Sequence, residues 1–129
     1  MKATLDVQNR ITLPTKLRGI FGSNFRITKG IDEPCVTIYT DESWAELVER
    51  MKALSYTKRN RFQRFLEKEE IETDKQGRFV IPSRFREYAD LNSELEIVWM
   101  EGYAEIWNKD NWDKNEVSRE EALLIADEL

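Results

Sequence analysis

The chain has 129 residues, of which 40% are hydrophobic and 35% are charged, and its formal net charge is −5. It contains no histidine and one cysteine, Cys35, so it can form no internal disulfide and lacks the usual ligands of a zinc site; we expect no metal and no cofactor. The missing histidine also weighs against an enzyme, because it removes the commonest general base and the usual partner of a nucleophilic thiol.

No membrane or secretory segment is expected. No apolar run approaches the ~20 residues that a membrane span needs, and no basic and apolar leader precedes the first motif. The length predicts one domain or two small ones that pack together. With a single cysteine, the composition favours a reducing cytoplasm.

Charge is distributed unevenly along the chain. Residues 1–30 contain six basic residues and one acidic residue, whereas residues 101–129 contain three basic and nine acidic residues. The N-terminal part is therefore cationic despite the negative total. Such an asymmetry leaves binding to a polyanion open, because the distribution of charge matters more than its sum.

A segment near the start of the chain recurs further on. Residues 6–18 read DVQNRITLPTKLR and residues 74–86 read DKQGRFVIPSRFR, with Asp, Gln, Arg, Pro and Arg in register 68 residues apart. The same spacing relates Trp44 to Trp112. A repeat of this length predicts one structural unit used twice, and therefore two related half-sites.

Each copy is predicted to open with a β-hairpin. Its extended arms are residues 4–6 and 10–13 in the first copy and residues 71–73 and 78–81 in the second. Gly77 allows a positive φ in the second connection. Asn9 stands at the matching place in the first, and asparagine is the next-best residue there. The substitution predicts the same backbone geometry in both copies.

A proline ends the second arm of each hairpin and opens a short helix. These helices are predicted at residues 15–21, stopped by Gly22, and at residues 83–89. Two strands complete each unit, predicted at residues 25–28 and 36–39 and at residues 95–99 and 103–107.

Two helices are predicted between the copies. Thr40 or Asp41 can cap the first, whose apolar face comprises Trp44, Leu47, Val48, Met51 and Leu54. The second starts near Thr57, with Phe62, Phe65 and Leu66 on its inner side. Its outer side carries Lys58, Arg59, Arg61 and Arg64. A solvated face is favoured there over a phosphate-contacting strip, because several glutamates follow directly.

The last segment carries a capping box from Ser118 to Glu121, followed by an apolar run at residues 122–125. This acidic helix either increases the solubility of the chain or forms a contact between subunits. Trp44 and Trp112 are interpreted as core residues, and Cys35 as an inert small residue in a loop.

The recurring Asp-x-x-x-Arg pairs are open to two interpretations. Asp6 with Arg10, and Asp74 with Arg78, can be structural clamps across a tight loop. Alternatively, each aspartate holds its loop while the arginine projects towards a phosphate or a base edge, since its planar fork binds phosphate or guanine bidentately. The local pattern favours the clamp interpretation. The contact interpretation gains weight from the neighbouring cations, which are Lys16, Arg18, Arg84 and Arg86.

These residues resemble the MraZ family, bacterial regulators with two SpoVT/AbrB-type units in one chain. The resemblance is carried by residues 74–78, Ile81-Pro82 and residues 86–88, and between the copies by residues 52–54 and 61–65. It covers about residues 3–112. The first motif has Gln8-Asn9 where the family usually has Lys-Gly.

The resemblance implies an α+β, β-rich fold in which two AbrB-like swapped-hairpin repeats form a pseudo-twofold double-split β-barrel capped by helices. The corresponding division is a first repeat at residues 1–44, linking helices at 45–70, a second repeat at 71–113 and a C-terminal helix at 114–129.

The resemblance further implies a regulator that binds double-stranded DNA at tandem promoter repeats of a cell-division or cell-wall gene cluster, as a ring-like homo-oligomer in the cytoplasm at the nucleoid. No small-molecule ligand is expected. The DNA-binding residues are predicted to be Arg10, Lys16, Arg18, Arg78 and Arg86, with further phosphate contacts from Arg26 and Lys2. Asp6, Asn9, Asp74 and Gly77 are predicted to brace the loops.

The alternative is an oligomeric protein-interaction module without DNA binding, either a scaffold or an antitoxin-like protein whose charged C-terminal helix binds a partner. The acidic total favours this alternative.

Overall fold

The computed structural model describes residues 1–129 as an α+β fold in which every strand pairing is antiparallel. The strands are β1 Lys2–Thr4, β2 Arg10–Thr12, β3 Asn24–Lys29, β4 Val36–Tyr39, β5 Glu69–Glu72, β6 Arg78–Val80, β7 Glu94–Trp99 and β8 Tyr103–Asn108. The helices are α1 Thr15–Phe21, α2 Asp41–Lys52, α3 Tyr56–Leu66, α4 Ser83–Tyr88, α5 Lys109–Lys114 and α6 Arg119–Ala126. None of these helices has both the length and the apolar character needed to cross a bilayer.

The strands of the two repeats are interleaved. One sheet has the order β1-β7-β8-β4-β3-β5, and β2 pairs with β6 in a separate two-stranded ribbon. The expectation that the two arms of each copy pair with each other is therefore wrong. β1 pairs with β7 of the second repeat, and only a single β-bridge, from Leu5 to Ile11, joins the two arms of the first copy. Each arm pairs with a strand of the other repeat.

The pairing has an internal twofold symmetry. In the ribbon, Ile11 lies opposite Phe79, its own counterpart 68 residues later, and Arg10 and Thr12 lie opposite Val80 and Arg78. In the sheet, Thr37 lies opposite its counterpart Glu105. The ladders leave β1 and β5 as free edges, so the sheet is open; the closed barrel and the hairpin swap stay predictions.

A core of 17 buried residues lies between the sheet and the ribbon and draws on both repeats. Ile11 and Phe79 point into it from the ribbon, and the Phe79 ring packs edge-on against Phe25, with the ring centroids 5.2 Å apart. Full burial of such side chains contributes about 1.5–3 kcal/mol each. The core therefore holds the ribbon against the sheet.

The short helices begin and end as expected. Pro14 and Pro82 precede α1 and α4, and α1 ends at Gly22, whose φ is 69°. Thr40 caps α2 by accepting a hydrogen bond from the Ser43 amide. The Thr40 cap satisfies one of the free amides of the first turn. Pro14 and Pro82 make no side-chain cap and end the preceding strands.

A second cluster packs α2 and α3 against the sheet through Tyr39, Leu47, Met51 and Leu66. The symmetry extends to the aromatic residues: Trp44 packs on Tyr39, and Trp112 packs on Trp107, with centroid distances of 5.5 and 5.6 Å. Both tryptophans are thus packing residues. The inner placement of Phe65 is wrong, because the residue is 37% exposed; its ring lies at 80° to that of Tyr88, and Lys29 Nζ lies over it.

Candidate nucleic-acid interface

The loop between β1 and β2 is organised by one carboxylate. Asp6 Oδ1 accepts hydrogen bonds from the Gln8 and Arg10 amides, both at 2.9 Å. Asp6 Oδ2 accepts one from Arg10 Nε, also at 2.9 Å. Asn9 takes the positive φ, 62°, that closes the turn. One aspartate therefore fixes both the loop and the base of the arginine side chain.

The loop between β5 and β6 has the same structure. Asp74 Oδ1 accepts from the Gln76 and Arg78 amides at 2.8 and 2.9 Å, and Asp74 Oδ2 accepts from Arg78 Nε at 2.7 Å. Gly77 stands in the place of Asn9, with φ 76°. The prediction that both loops have the same backbone geometry is confirmed. Both aspartates bind the arginine of their own loop, as the clamp interpretation describes.

These hydrogen bonds lower the pKa of both carboxyl groups. For Asp6 and for Asp74 the largest cause is the bond from the arginine amide of the same loop, and the guanidinium adds a further lowering. Both groups are therefore charged at neutral pH. A charged acceptor makes each loop bond stronger than a neutral one.

The two braced arginines share one face of the ribbon. Because Ile11 and Phe79 point into the core, Arg10, Thr12, Arg78 and Val80 lie on the opposite face. Arg10 lies opposite Val80 and Arg78 opposite Thr12, so the arginines are diagonal neighbours, about 7–8 Å apart at the backbone. Tertiary pairing has joined two half-sites into one surface.

The arginine side chains are braced but accessible. Their exposed fractions are 30% for Arg10 and 33% for Arg78. Only Nε of each guanidinium is hydrogen-bonded within the chain, so the terminal amino groups keep all their donors. The clamp and the contact roles are therefore compatible in one side chain.

Each loop is also anchored by the opposite repeat. The Leu13 amide donates to the Gly77 carbonyl at 2.9 Å, and the Ile81 amide donates to the Asn9 carbonyl at 3.0 Å. Since residues 13 and 81 follow β2 and β6, the ribbon and both loops form one hydrogen-bonded unit.

Arg18 and Arg86 hold these junctions. Arg18 Nε donates to the Leu13 carbonyl at 2.7 Å, and the Arg86 guanidinium donates to the Ile81 carbonyl. Arg18 also lies on Gly77, where a Cβ would come within 2.5 Å of its Nε. Both arginines are half-buried, and each makes one hydrogen bond within the chain.

The two copies differ in their other cations. Lys16 is exposed and has no ion-pair partner in the chain, whereas its counterpart Arg84 pairs with Glu67 at 3.1 Å and Glu69 at 2.8 Å. The expected phosphate contact by Arg26 is wrong: its side chain is 14% exposed and lies 2.7 Å from Asp41 Oδ1. That contact is an ion pair without good hydrogen-bond alignment.

Three residues of this surface were not predicted from the sequence. Thr12 and Val80 lie on the outer ribbon face, and Lys75 is exposed in the second loop. The alternation of side chains along β2 and β6, counted from each arginine, is the signal that identifies Thr12 and Val80.

Cys35 takes no part in this surface. Its side chain is fully buried, and burial raises the pKa of its thiol, with Glu105 raising it further. A protonated, buried thiol is unreactive, as expected for a packing residue. No group of three or more His, Cys, Asp or Glu side chains is arranged to hold a metal ion.

Comparison with known proteins identifies one family. The model of the family described as "MraZ protein, putative antitoxin-like" matches the chain twice, over residues 1–65 and 64–128. The two matches correspond to the two interleaved halves of the fold.

Three proteins named transcriptional regulator MraZ are similar to the chain over most of its length. The protein of Desulforamulus reducens is 37% identical over 114 residues, covering 85% of this chain and 80% of that protein. The protein of Thermoanaerobacter pseudethanolicus is 36% identical over 134 residues, covering 98% and 93%. The protein of Caldicellulosiruptor saccharolyticus is 40% identical over 117 residues, covering 88% and 81%.

Proposed function

Because the chain belongs to the MraZ family, a family of transcriptional regulators and not of enzymes, we propose that it binds specific DNA sequences through the outer face of its β2–β6 ribbon. The observation that carries this proposal is the position of Arg10 and Arg78. They are diagonal neighbours on one accessible face, and each is braced by its own aspartate.

The ribbon has the dimensions for readout in the major groove. That groove is about 12 Å wide and admits a two-stranded antiparallel ribbon. With Nε held by the aspartate, the two terminal amino groups of each arginine are aimed outward and can bind guanine O6 and N7 together. Bracing lowers the entropy that an arginine loses when it binds, since the fork is already oriented. Val80, 53% exposed, is placed to contact a thymine methyl group.

The surrounding cations contact phosphates. Lys16 and Lys75 are exposed and unpaired, and Arg18 and Arg86 hold the loops with one nitrogen and offer the others to the backbone. Phosphate contacts position a protein on the duplex and leave sequence discrimination to the ribbon. Arg84 is partly neutralised by its ion pairs, so the exposed unpaired lysine is Lys16 in the first copy and Lys75 in the second.

One chain offers few cations for this task, since a protein with strongly salt-dependent binding makes about 6–10 phosphate contacts. We therefore propose that the chain binds tandem promoter repeats of a cell-division or cell-wall gene cluster as a ring-like homo-oligomer. Several weak contacts then act together through high effective concentration. Such a regulator acts in the cytoplasm, at the nucleoid.

The twofold register of the ribbon and sheet favours a pseudo-twofold double-split barrel of swapped hairpins as the family architecture of this fold. On this proposal residues 1–44 and 71–113 are the two repeats, residues 45–70 link them, and residues 114–129 form a separate C-terminal unit whose helix, α6, spans Arg119–Ala126.

We expect Arg10→Ala and Arg78→Ala each to weaken binding to a promoter fragment with short direct repeats by about 10- to 100-fold, because each removes a base contact. Mobility shift with a scrambled competitor measures the loss. Arg64→Ala is the matched control, as this arginine is exposed on α3, away from the ribbon. Unchanged affinity in both ribbon variants, with the melting temperature preserved, contradicts the assigned role.

The alternative function is a protein-interaction module without DNA binding. The acidic total charge and an exposed apolar C-terminal helix favour it. A titration of the same fragment from low to moderate salt separates the two functions. A steep loss of affinity with salt is the result expected of a DNA-binding regulator, whereas absence of binding at low salt favours the interaction module.

A further inference from the structure

The C-terminal helix α6 leaves its apolar side chains in solvent. Leu123, Leu124 and Ile125 are 53%, 71% and 52% exposed, and no residue of α6 is buried. Three consecutive apolar residues span about 200° of a helix circumference. A cluster of exposed apolar side chains of this kind marks an interaction site. Its Ser118 cap is nevertheless complete, since the side chain accepts a hydrogen bond from the Glu121 amide. The helix is formed and unpartnered.

An apolar groove on α2 and α3 is equally uncovered. It has a volume of about 280 Å³ and is lined by Ile31, Leu47, Arg50, Met51, Leu54 and Phe62. Ile31 is 47% and Leu54 38% exposed. The groove and α6 are both open in one chain, so they do not cover each other within that chain.

Charge identifies the partner of the groove. Helix α3 carries four cations and no acid. Lys58 and Arg59 lie one turn before Phe62, so they share its side of the helix, and their expected place on the outer side is wrong. Residues 119–129 carry four acids and one arginine, with Asp127 and Glu128 directly after α6. The apolar run of α6 is thus flanked by negative charge, whereas the groove is flanked by positive charge. One chain provides both halves of a complementary interface.

We propose that α6 of one chain docks in the α2–α3 groove of a second copy of this chain. Leu123, Leu124 and Ile125 fill the groove, and Asp127 and Glu128 face Lys58 and Arg59. The inference rests on the self-association proposed above and identifies its contact surface. Each copy offers one helix and one groove, which suffices for a reciprocal pair or for a closed ring.

The apolar contact is tested by the full-length double variant Leu124→Asp/Ile125→Asp. Because both side chains are exposed in the single chain, the fold and its melting transition should be preserved. We expect the apparent self-association constant to fall at least about tenfold, since apolar burial drives most association. Light scattering coupled to gel filtration and sedimentation velocity, each at several concentrations, measure the change.

The polar contact is tested by charge reversal. Asp127→Lys/Glu128→Lys and Lys58→Glu/Arg59→Glu should each weaken association by about two- to thirtyfold, because exposed ion pairs contribute modestly. Combining the four changes should restore it. Neither pair of substitutions should destabilise the helix that carries it. The helix dipole is stabilised by cations at the C-terminal end of α6 and by acidic residues in the first turn of α3. Glu87→Lys/Glu94→Lys changes the total charge by the same amount as Asp127→Lys/Glu128→Lys, at exposed sites elsewhere, and is the control for that pair.

Restoration in the combined variant establishes the pairing of α6 with α3. An oligomer of unchanged size in the Leu124→Asp/Ile125→Asp variant overturns it, while leaving self-association through another surface and DNA binding in place. A wild-type chain that stays monomeric at all concentrations overturns this inference and the proposed oligomer together; the exposed helix then belongs to a different protein partner. Affinity for a single DNA repeat, measured in parallel, tests the ribbon independently of either result.

Discussion

Each aspartate of the interface acts through several bonds at once. Asp6 and Asp74 each accept two amide bonds and one guanidinium bond, so the carboxylate organises the loop and orients the arginine. An asparagine in either place keeps the shape but loses the charge, and its amide group cannot accept at both oxygen positions.

The lowered pKa of both carboxyl groups gives a pH prediction. A group whose pKa is lower in the folded protein stabilises the fold above its unfolded pKa, and the stabilisation is lost as pH falls through the folded pKa. We expect carboxyl-detected NMR titration to place both pKa values below 3.8, the ordinary value. The free energy of unfolding should then fall more steeply below pH 4 in the wild type than in Asp6→Asn/Asp74→Asn. Equal slopes contradict the role of these carboxylates.

Gly77 gives a second prediction at this scale. Its φ is 76°, and an added Cβ would come within 2.5 Å of Arg18 Nε and 2.8 Å of its Cζ. We expect Gly77→Ala to lower the free energy of unfolding by about 1–3 kcal/mol and to displace Arg18. Chemical denaturation measures the change. Gly19→Ala, in α1 with open space around it, is the control and should be neutral or slightly stabilising.

At the scale of elements, helix starts are tied to distant strands. Thr40 caps α2 by accepting from the Ser43 amide at 3.1 Å, and its hydroxyl also lies 3.2 Å from the Gly102 carbonyl of the β7–β8 connection. The cap thus joins the linking helix of the first repeat to a turn of the second.

We expect Thr40→Ala to destabilise the protein by about 1 kcal/mol, because a half-buried cap is lost. Thr40→Ser should recover most of that stability, since serine caps equally well. Thermal unfolding of both variants measures the difference. A Thr40→Ala protein as stable as the wild type contradicts the contribution of the cap.

At the scale of the whole molecule, the repeats cannot be separated. β1 is paired only with β7 in the sheet, and β2 only with β6, so both strands lose their partners when the halves are separated. The β3–β4 hairpin that remains in residues 1–66 is too small to be stable alone. Lys29 of the first half also pairs with Glu67 after α3, at 2.9 Å. We expect residues 1–66 alone to lack stable β-structure by circular dichroism, and the full chain to unfold in one cooperative transition. A folded, monomeric half contradicts the interleaved pairing.

The sequence alone determined the duplication, the two loop conformations, the bounds of the short helices and the Ser118 cap. These depend on residues within a few positions of one another: a carboxylate four residues before an arginine, a glycine or asparagine in a turn, a proline before a helix. The regulator family was likewise identified from motifs of this local kind.

Only the tertiary structure decided which strands pair and what each cation contacts. The pairing of β1 with β7 joins residues at least 90 positions apart, and no local pattern distinguishes it from a hairpin of β1 with β2. The same holds for cations: Lys16 and Arg84 occupy equivalent places, yet Arg84 is paired because acids from another element lie beside it. Arg10 and Arg78 became one surface for the same reason, since long-range pairing sets which local motifs become neighbours.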